Sequence, residues 1–337
     1  MTGTRAVIQR IVEAFEPIDS HRFRLFGIER AEEADDESGE ADGGLPGGLA
    51  AGACALLRDA LYSEAHCGLP VSRRAHDRAG SSFVDAREYV SMLSRANTGS
   101  GSWQPGWRVT GVEGGAIAAV RLDVEFQVAA GEWRGESASV RAGDFVSVRI
   151  PKEYRRLLPG FYVVTGDAED DMDGAPVVRV YWHVSARGAV ELVRTLTTSL
   201  NSLGVPFHLK TNADPRNFGR TDSLVLYLRR ERYAGAAAIV ANATREVRAH
   251  LDPRVSLFTK RLAPAVGVAE DPGGDESFGE QRSRLVAEAL GSPRSVAAHS
   301  MAERAQCVCD HVAAHGIDPD ALHLSSGSTD VYPSFVA

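Results

Sequence analysis

At 337 residues, with 44% hydrophobic and 24% charged residues, the chain has the composition of an ordinary folded protein long enough for two subdomains. No apolar run reaches the ~18 residues of a membrane span, and the N-terminus lacks the apolar stretch of a secretory signal, so a cytoplasmic protein with no membrane partner is expected. The net charge of −8 is concentrated, because residues 29–42 hold eight acids and one base and the remainder is close to neutral.

In chain order, helical patterns occupy residues 6–15, 56–64 and 86–95, the last with apolar Tyr89, Val90, Met92 and Leu93. Between the first two, the acidic stretch runs on into Gly43-Gly44-Leu45-Pro46-Gly47-Gly48. Residues 30–48 cannot bury enough apolar surface to fold and are expected as a disordered, solvated loop. A turn-rich connector over 97–107 carries Trp103 and Trp107, and the chain is expected to divide there. Residues 1–100 form a helical N-terminal subdomain in this reading, and 101–337 an α+β domain.

Alternating runs at 107–112, 118–128 and 144–150 predict strands. A strand at 177–185, a helix at 186–203 and strands at 206–211 and 224–229 follow, then an Ala-rich helix at 233–250. After an irregular stretch, helices are expected at 278–290 and 295–315. Elements interspersed in this way favour an α+β fold, a largely antiparallel sheet flanked by helices.

Four cysteines (Cys54, Cys67, Cys307 and Cys309) do not make a disulfide framework in a chain of this size. Cys307, Cys309, His311 and His315 have metal-ligand chemistry, yet cysteines two apart on a helix point to different sides, so no metal site is expected. Phosphate-loop, dinucleotide-binding and kinase motifs are absent.

Only three lysines, Lys152, Lys210 and Lys260, stand against 34 arginines. In so arginine-rich a background a retained lysine suggests a need for an ammonium, which can give up its proton and act as a base where a guanidinium cannot. Lys210 sits in a strand just before a loop bearing Arg216 and Arg220, and residues 207–261 hold eleven bases and five acids. An anionic substrate would be drawn there. Period-two alternation puts Arg179, Tyr181 and His183 on one strand face and His208 and Lys210 on one face of another, with Tyr227 on a third strand. Lys260 and the pair Arg282 and Arg284 add bases at element ends.

The run Phe207-His208-Leu209-Lys210-Thr211-Asn212, with Asp214-Pro215-Arg216-Asn217-Phe218-Gly219-Arg220-Thr221-Asp222-Ser223 and Leu226-Tyr227, resembles the HopA-type effector family. So does Leu257-Phe258-Thr259-Lys260-Arg261-Leu262-Ala263-Pro264 with Glu276-Ser277-Phe278-Gly279. The resemblance implies a phosphoserine/phosphothreonine lyase of the biosynthetic branch, found in class V lanthipeptide and thioamitide pathways. Its partners would be a phosphorylated precursor peptide, a separate Ser/Thr kinase and a cyclase, with no nucleic acid and no cofactor or metal. A more distant resemblance to phosphothreonine lyase effectors and lanthipeptide synthetase lyase domains aligns His183, Lys210, Arg220 and Tyr227 with the acid, base, phosphate-binding and tyrosine positions. Tyr181 stands where those lyases have a lysine, and Arg179 is placed to supply that cation.

In the chemistry so implied, unprotonated Lys210 removes the Cα proton and His183, with His208 as its rival, protonates the leaving oxygen. Tyr227 orients Lys210 or the substrate. Arg179, Arg216, Arg220, Lys260, Arg282 and Arg284 are the candidate phosphate ligands. The alternative is a non-catalytic module that grips a phosphopeptide or a partner protein.

Overall fold

The structure is a computed structural model that describes residues 5–32, 47–69, 84–122, 124–137, 139–169 and 172–336. Helix α1 (Arg5–Ala14) leads into a three-stranded meander of β1 (Phe15–Pro17), β2 (Arg22–Leu25) and β3 (Ile28–Ala31). Helix α2 (Ala51–Ala60) runs on into a π-helical turn, Leu61–His66, and α3 (Ala86–Ala96) follows. Strands β4 (Ser102–Glu113), β5 (Ala116–Arg121), β6 (Val124–Val128), β7 (Trp133–Arg134) and β8 (Phe145–Ile150) make a five-stranded sheet in the order β6-β5-β4-β8-β7.

The rest of the chain builds the central sheet and its covering helices. In order come β9 (Glu153–Tyr154), β10 (Phe161–Thr165), β11 (Val177–Trp182), α4 (Ala186–Ser202), β12 (His208–Asn212), β13 (Leu224–Arg229) and α5 (Tyr233–Glu246). Then follow β14 (Lys260–Ala263), β15 (Val266–Glu270), α6 (Phe278–Gly291), α7 (Pro293–Val296) and α8 (Met301–Ala314). Seven strands pair antiparallel throughout in the order β14-β15-β11-β13-β12-β10-β9. The fold is α+β, with helices on both faces of an antiparallel sheet.

Both faces of that sheet are buried, which explains why β13 reads as a nearly continuous apolar run, Leu224-Val225-Leu226-Tyr227-Leu228, where one covered face would have given simple alternation. Val178, Val180, Trp182, Leu224, Leu226 and Leu228 point to one side and pack on α3, α4 and α5. Trp182 is fully buried there, and its Nε1 donates to Thr244 Oγ1 on α5 at 2.9 Å, so the indole loses water without losing its hydrogen bond. The opposite side carries Tyr181, Val225 and Ala269 and packs under α1, α2, α6 and α8. The N-terminal elements therefore share a core with the C-terminal helices. The segment with a core of its own is β4–β8, around Trp107, Val109, Ile117 and Val148.

Several expectations need correction. The connector over 97–107 is strand from Ser102, and the stretch before residue 278 holds the hairpin β14–β15. The helix expected over 295–315 is broken into α7 and α8, each with its own serine N-cap, Ser292 and Ser300. Of the expected acidic loop, residues 33–46 lie outside the described residues, whereas Arg30 is anchored in β3 and ion-paired to Glu64. No helix among the described residues is long and apolar enough to cross a membrane.

Candidate functional site

The register of the central strands decides which side chains meet. Arg179 on β11 faces Tyr227 on β13, which faces His208 on β12. One row along, Tyr181 faces Val225, which faces Lys210. Strand neighbours lie about 4.8 Å apart, so the two rows form a patch roughly 10 Å wide on the face under α6. Within it the Arg179 guanidinium lies 5.1 Å from the centre of the Tyr227 ring and donates through Nε to Asp271 at 2.6 Å. Burial opposes the Arg179 charge, but Tyr181, Tyr227 and Asp271 outweigh it and raise its pKa.

Lys210 differs from the other two lysines. Lys152 Nζ donates to the carbonyls of Ser94 and Asn97 at 3.2 and 2.8 Å, and Lys260 Nζ donates to Asp330 at 2.6 Å. Lys210 Nζ lies 4.8 Å from the centre of the Phe161 ring and meets no hydrogen-bonding or carboxylate oxygen among the described residues.

Two elements from elsewhere in the chain close over this patch. The first is the π turn, which ends in His66 and Cys67. His66 is buried, with Nδ1 2.9 Å from Ser256 Oγ, and its ring meets Tyr62, Tyr181 and Phe278 at 5.5, 5.7 and 5.9 Å between centres. Burial, aided by the charges of Arg220, Arg179 and Lys210 and opposed by Asp222, drives the His66 pKa down to about 4. It is a neutral imidazole at physiological pH. Burial likewise pushes the Cys67 thiol up to about 12, which makes it inert.

The second element is the N-terminus of α6. Ser277 caps it and Glu280 reaches back to the Ser277 N–H at 2.8 Å, a closed capping box. Lys210 and Arg179 are among the charges that lower the Glu280 pKa, after its bonds to Ser277, so this helix end stands over the cationic patch. Gly279 is required here, because a Cβ would lie 2.3 Å from His66 Cδ2.

At the rim, Arg220 donates through Nε and Nη2 to the two oxygens of Asp222, both at 2.7 Å. Between them Thr221 donates its N–H to the Cys67 carbonyl at 2.9 Å, which ties this loop to the π turn. Burial pushes the Asp222 carboxyl up, but Arg220, His66 and Lys210 outweigh it and hold its pKa below the ordinary range.

His183 lies just beyond β11, 3% exposed, in a neighbouring cleft of about 480 Å³ lined also by Phe218, Gly219, His250, Asp252 and Arg254. Its Nδ1 is 3.5 Å from Asp252 Oδ1 and has no hydrogen-bond partner among the described residues. Burial lowers its pKa against the pull of Asp252, so it too is neutral in the free protein. Asp222 is among the charges acting on it, which places the cleft beside the Arg220 loop.

The remaining expected ligands are not brought to this patch. Arg216 stands 65% exposed and forked onto Asp214. Lys260 pairs in register with Val268, and Val268 with Val180, so it lies on the opposite sheet face and on the outermost strand. Arg282 is 1% exposed and donates to the carbonyls of Leu322 and Leu324 at 2.7 and 2.8 Å, with burial pulling its pKa to about 10. Arg284 is held by Glu276 and Glu288. Sequence reasoning missed Asp222 and His66. The first could have been found as an acid two residues from Arg220, whereas nothing near His66 in sequence marks it.

The patch therefore joins one ammonium without an oxygen partner among the described residues, two guanidinium groups held by carboxylates, two tyrosines and the neutral His66 imidazole, with His183 in the adjoining cleft. It is suited to holding an anion and moving a proton. Residues 153–324, just over half of the chain, match the model of the HopA1 effector protein family. The chain is similar in structure to an effector protein from Pseudomonas syringae pv. tomato strain DC3000, with a TM-score of 0.45 and 16% identity over 80% of this chain and 90% of that one. It is also similar to an effector protein from Pseudomonas syringae pv. syringae strain 61, with a TM-score of 0.43 and 14% identity over 72% and 81%. No curated protein matches the chain.

Proposed function

The chain belongs to the HopA1 effector protein family, and from that membership and the Lys210 patch we propose that it is a phosphoserine/phosphothreonine lyase. The observation that carries the reading is the Lys210 ammonium, without an oxygen partner among the described residues, on the same sheet face as Arg179 and Tyr227 and in the field of Asp222, the partner of Arg220. A binding module has no use for a lysine in that state, since a guanidinium would grip phosphate better.

In the proposed reaction Lys210 is the base that takes the Cα proton of the phosphorylated residue. The electron pair left on Cα forms the Cα–Cβ double bond as the Cβ–O bond breaks, and phosphate leaves. Arg220 and Arg179 hold the phosphate oxygens through charge-assisted bonds, each giving up part of its present carboxylate contact. His183 gives a proton to the departing oxygen. Burial lowers its pKa in the free protein, and an anionic phosphoryl group beside it would raise it, so His183 takes that proton from solvent as the substrate binds. Tyr227, under the Arg179 guanidinium, fixes the lateral position of that cation.

The product is dehydroalanine or dehydrobutyrine in a peptide. We place the protein in class V lanthipeptide-type biosynthesis, where a separate kinase supplies the phosphorylated precursor and a cyclase consumes the dehydrated one. The composition, 34 arginines to three lysines, is the bias a GC-rich genome produces and supports this branch. To test the activity, the protein alone is incubated with a phosphorylated Ser/Thr peptide. The lyase releases inorganic phosphate and leaves the peptide lighter than its unphosphorylated form by one water. Return of the unmodified hydroxyl would instead mark a phosphatase, and an unchanged phosphopeptide a binding module.

A further inference from the structure

Helices α6 and α8 pack side by side, and at their outer surface three side chains with metal-binding chemistry converge. Glu288 comes from α6, and His311 and His315 from the end of α8. Each offers one ligand atom, and the three atoms lie within 4.8 Å of one another. The two histidines are four residues apart, hence on one helix face, with ring centres 4.6 Å apart.

The surrounding hydrogen bonds prepare these groups for a cation. His315 Nδ1 is 2.9 Å from the His311 carbonyl oxygen. A carbonyl only accepts, so Nδ1 carries a proton and Nε2 is the nitrogen that would bind an ion, the support found behind metal-bound imidazoles. Glu288 Oε2 lies 3.1 Å from His311 Nε2, while its Oε1 accepts from Arg284 at 2.9 Å and is oriented by it. Donor atoms bound at about 2.0–2.2 Å to a tetrahedral ion sit about 3.3 Å apart, so the Glu288–His311 pair is already at ligand spacing. What an ion would displace is the proton shared between them. Cys307 is buried, and Cys309 packs against the core under α8 in the field of Arg5 and Asp320, so neither cysteine belongs to the cluster.

We propose that Glu288, His311 and His315 form a site for a divalent ion of the zinc class that clamps α6 to α8, with a fourth position open to water. Two imidazoles and one carboxylate suit zinc, whereas magnesium and calcium require oxygen donors. Glu288 lies ten residues along α6 from Phe278, about 15 Å from the Lys210 patch end of the helix. The ion acts on the stability of the helix pair and takes no part in the chemistry at Lys210.

The full-length protein, stripped with chelator, is titrated with zinc chloride by calorimetry and followed by thermal melting. One equivalent should bind and raise Tm by several degrees, since a ligand that binds only the folded state stabilises it by mass action. Cobalt(II) in its place should give the visible absorption of a tetrahedral site, and magnesium should do nothing. His315→Ala should weaken zinc binding at least tenfold and His311→Ala/His315→Ala should abolish the Tm rise, while Cys309→Ser keeps it. His315 is exposed and His311 half-buried, so circular dichroism should confirm an intact fold in the histidine variants. A wild-type Tm indifferent to zinc, or a zinc response undiminished in the double variant, overturns the proposal.

Discussion

Arg220 and Asp222, two residues apart in the loop before β13, face each other as a two-pronged ion pair with both contacts at 2.7 Å. The pair sits beside Lys210, 22% and 9% exposed, so each charge is largely desolvated and depends on the other. In the free protein Asp222 occupies the guanidinium edge that phosphate takes in the proposed reaction.

Asp222→Asn should therefore do two things at once. Stability should fall by about 2 kcal/mol, read from urea unfolding, because Arg220 is left half-buried without its counter-charge. Phosphopeptide affinity measured by calorimetry should rise and become more salt-dependent, because the freed fork no longer has to leave a carboxylate. Weaker binding would mean that Asp222 holds Arg220 in its productive position and does not compete for it.

The buried His66 sets a pH limit on the fold. Its folded pKa of about 4 lies below the ordinary value of 6.5, so between those values the unfolded chain takes up a proton that the folded one refuses. Its contribution is complete above pH 6.5 and is lost as pH falls toward 4, by about 3 kcal/mol in all. Unfolding free energies measured across that window should show the decline. His66→Gln should flatten it, and an equally steep decline in that variant would assign it to other groups.

Gly279→Ala should destabilise the protein even though alanine is the better helix former by about 1 kcal/mol. The new Cβ would lie 2.3–2.6 Å from three atoms of the His66 ring. Thermal melting of a double-mutant cycle with His66→Ala should recover most of the loss. Additive losses would show that the crowding is not against His66.

Sequence reading reached the fold class and most of the helices and strands, and missed the meander β1–β3 and the hairpin β14–β15, for identifiable reasons. The segment β11–α4–β12–β13–α5 carries clear periodicity and serine or turn signals at its ends, and β13 falls where the apolar run places it. Its alternation paired Arg179 with Tyr181 and His208 with Lys210 on their strands, and the strand register then sets Arg179, Tyr227 and Lys210 on one sheet face. The hairpin β14–β15 escaped because all five β15 residues, Val266–Glu270, are buried and so show no alternation, and the pair contains a bulge. Without that strand, the face on which Lys260 lies could not be assigned. His66 reaches the patch from a helix far away in sequence, and the burial of Arg282 depends on carbonyls some forty residues downstream. Contacts of that kind leave no local trace.

Arg282 should accordingly behave as a structural residue. Arg282→Met leaves the Leu322 and Leu324 carbonyls without donors and should cost about 2–4 kcal/mol of stability in denaturant. Phosphopeptide affinity of the folded variant should be unchanged. A selective loss of affinity would return Arg282 to the phosphate site.

The proposed elimination depends most directly on the proton that Lys210 accepts from Cα. Turnover of a phosphorylated Ser/Thr peptide by wild type and by Lys210→Arg is the deciding measurement, with phosphate release and peptide mass followed together. The substitution keeps the positive charge and removes the base, so activity should fall about 100- to 10,000-fold while phosphopeptide binding persists. Lys210→Arg with undiminished elimination would contradict the mechanism.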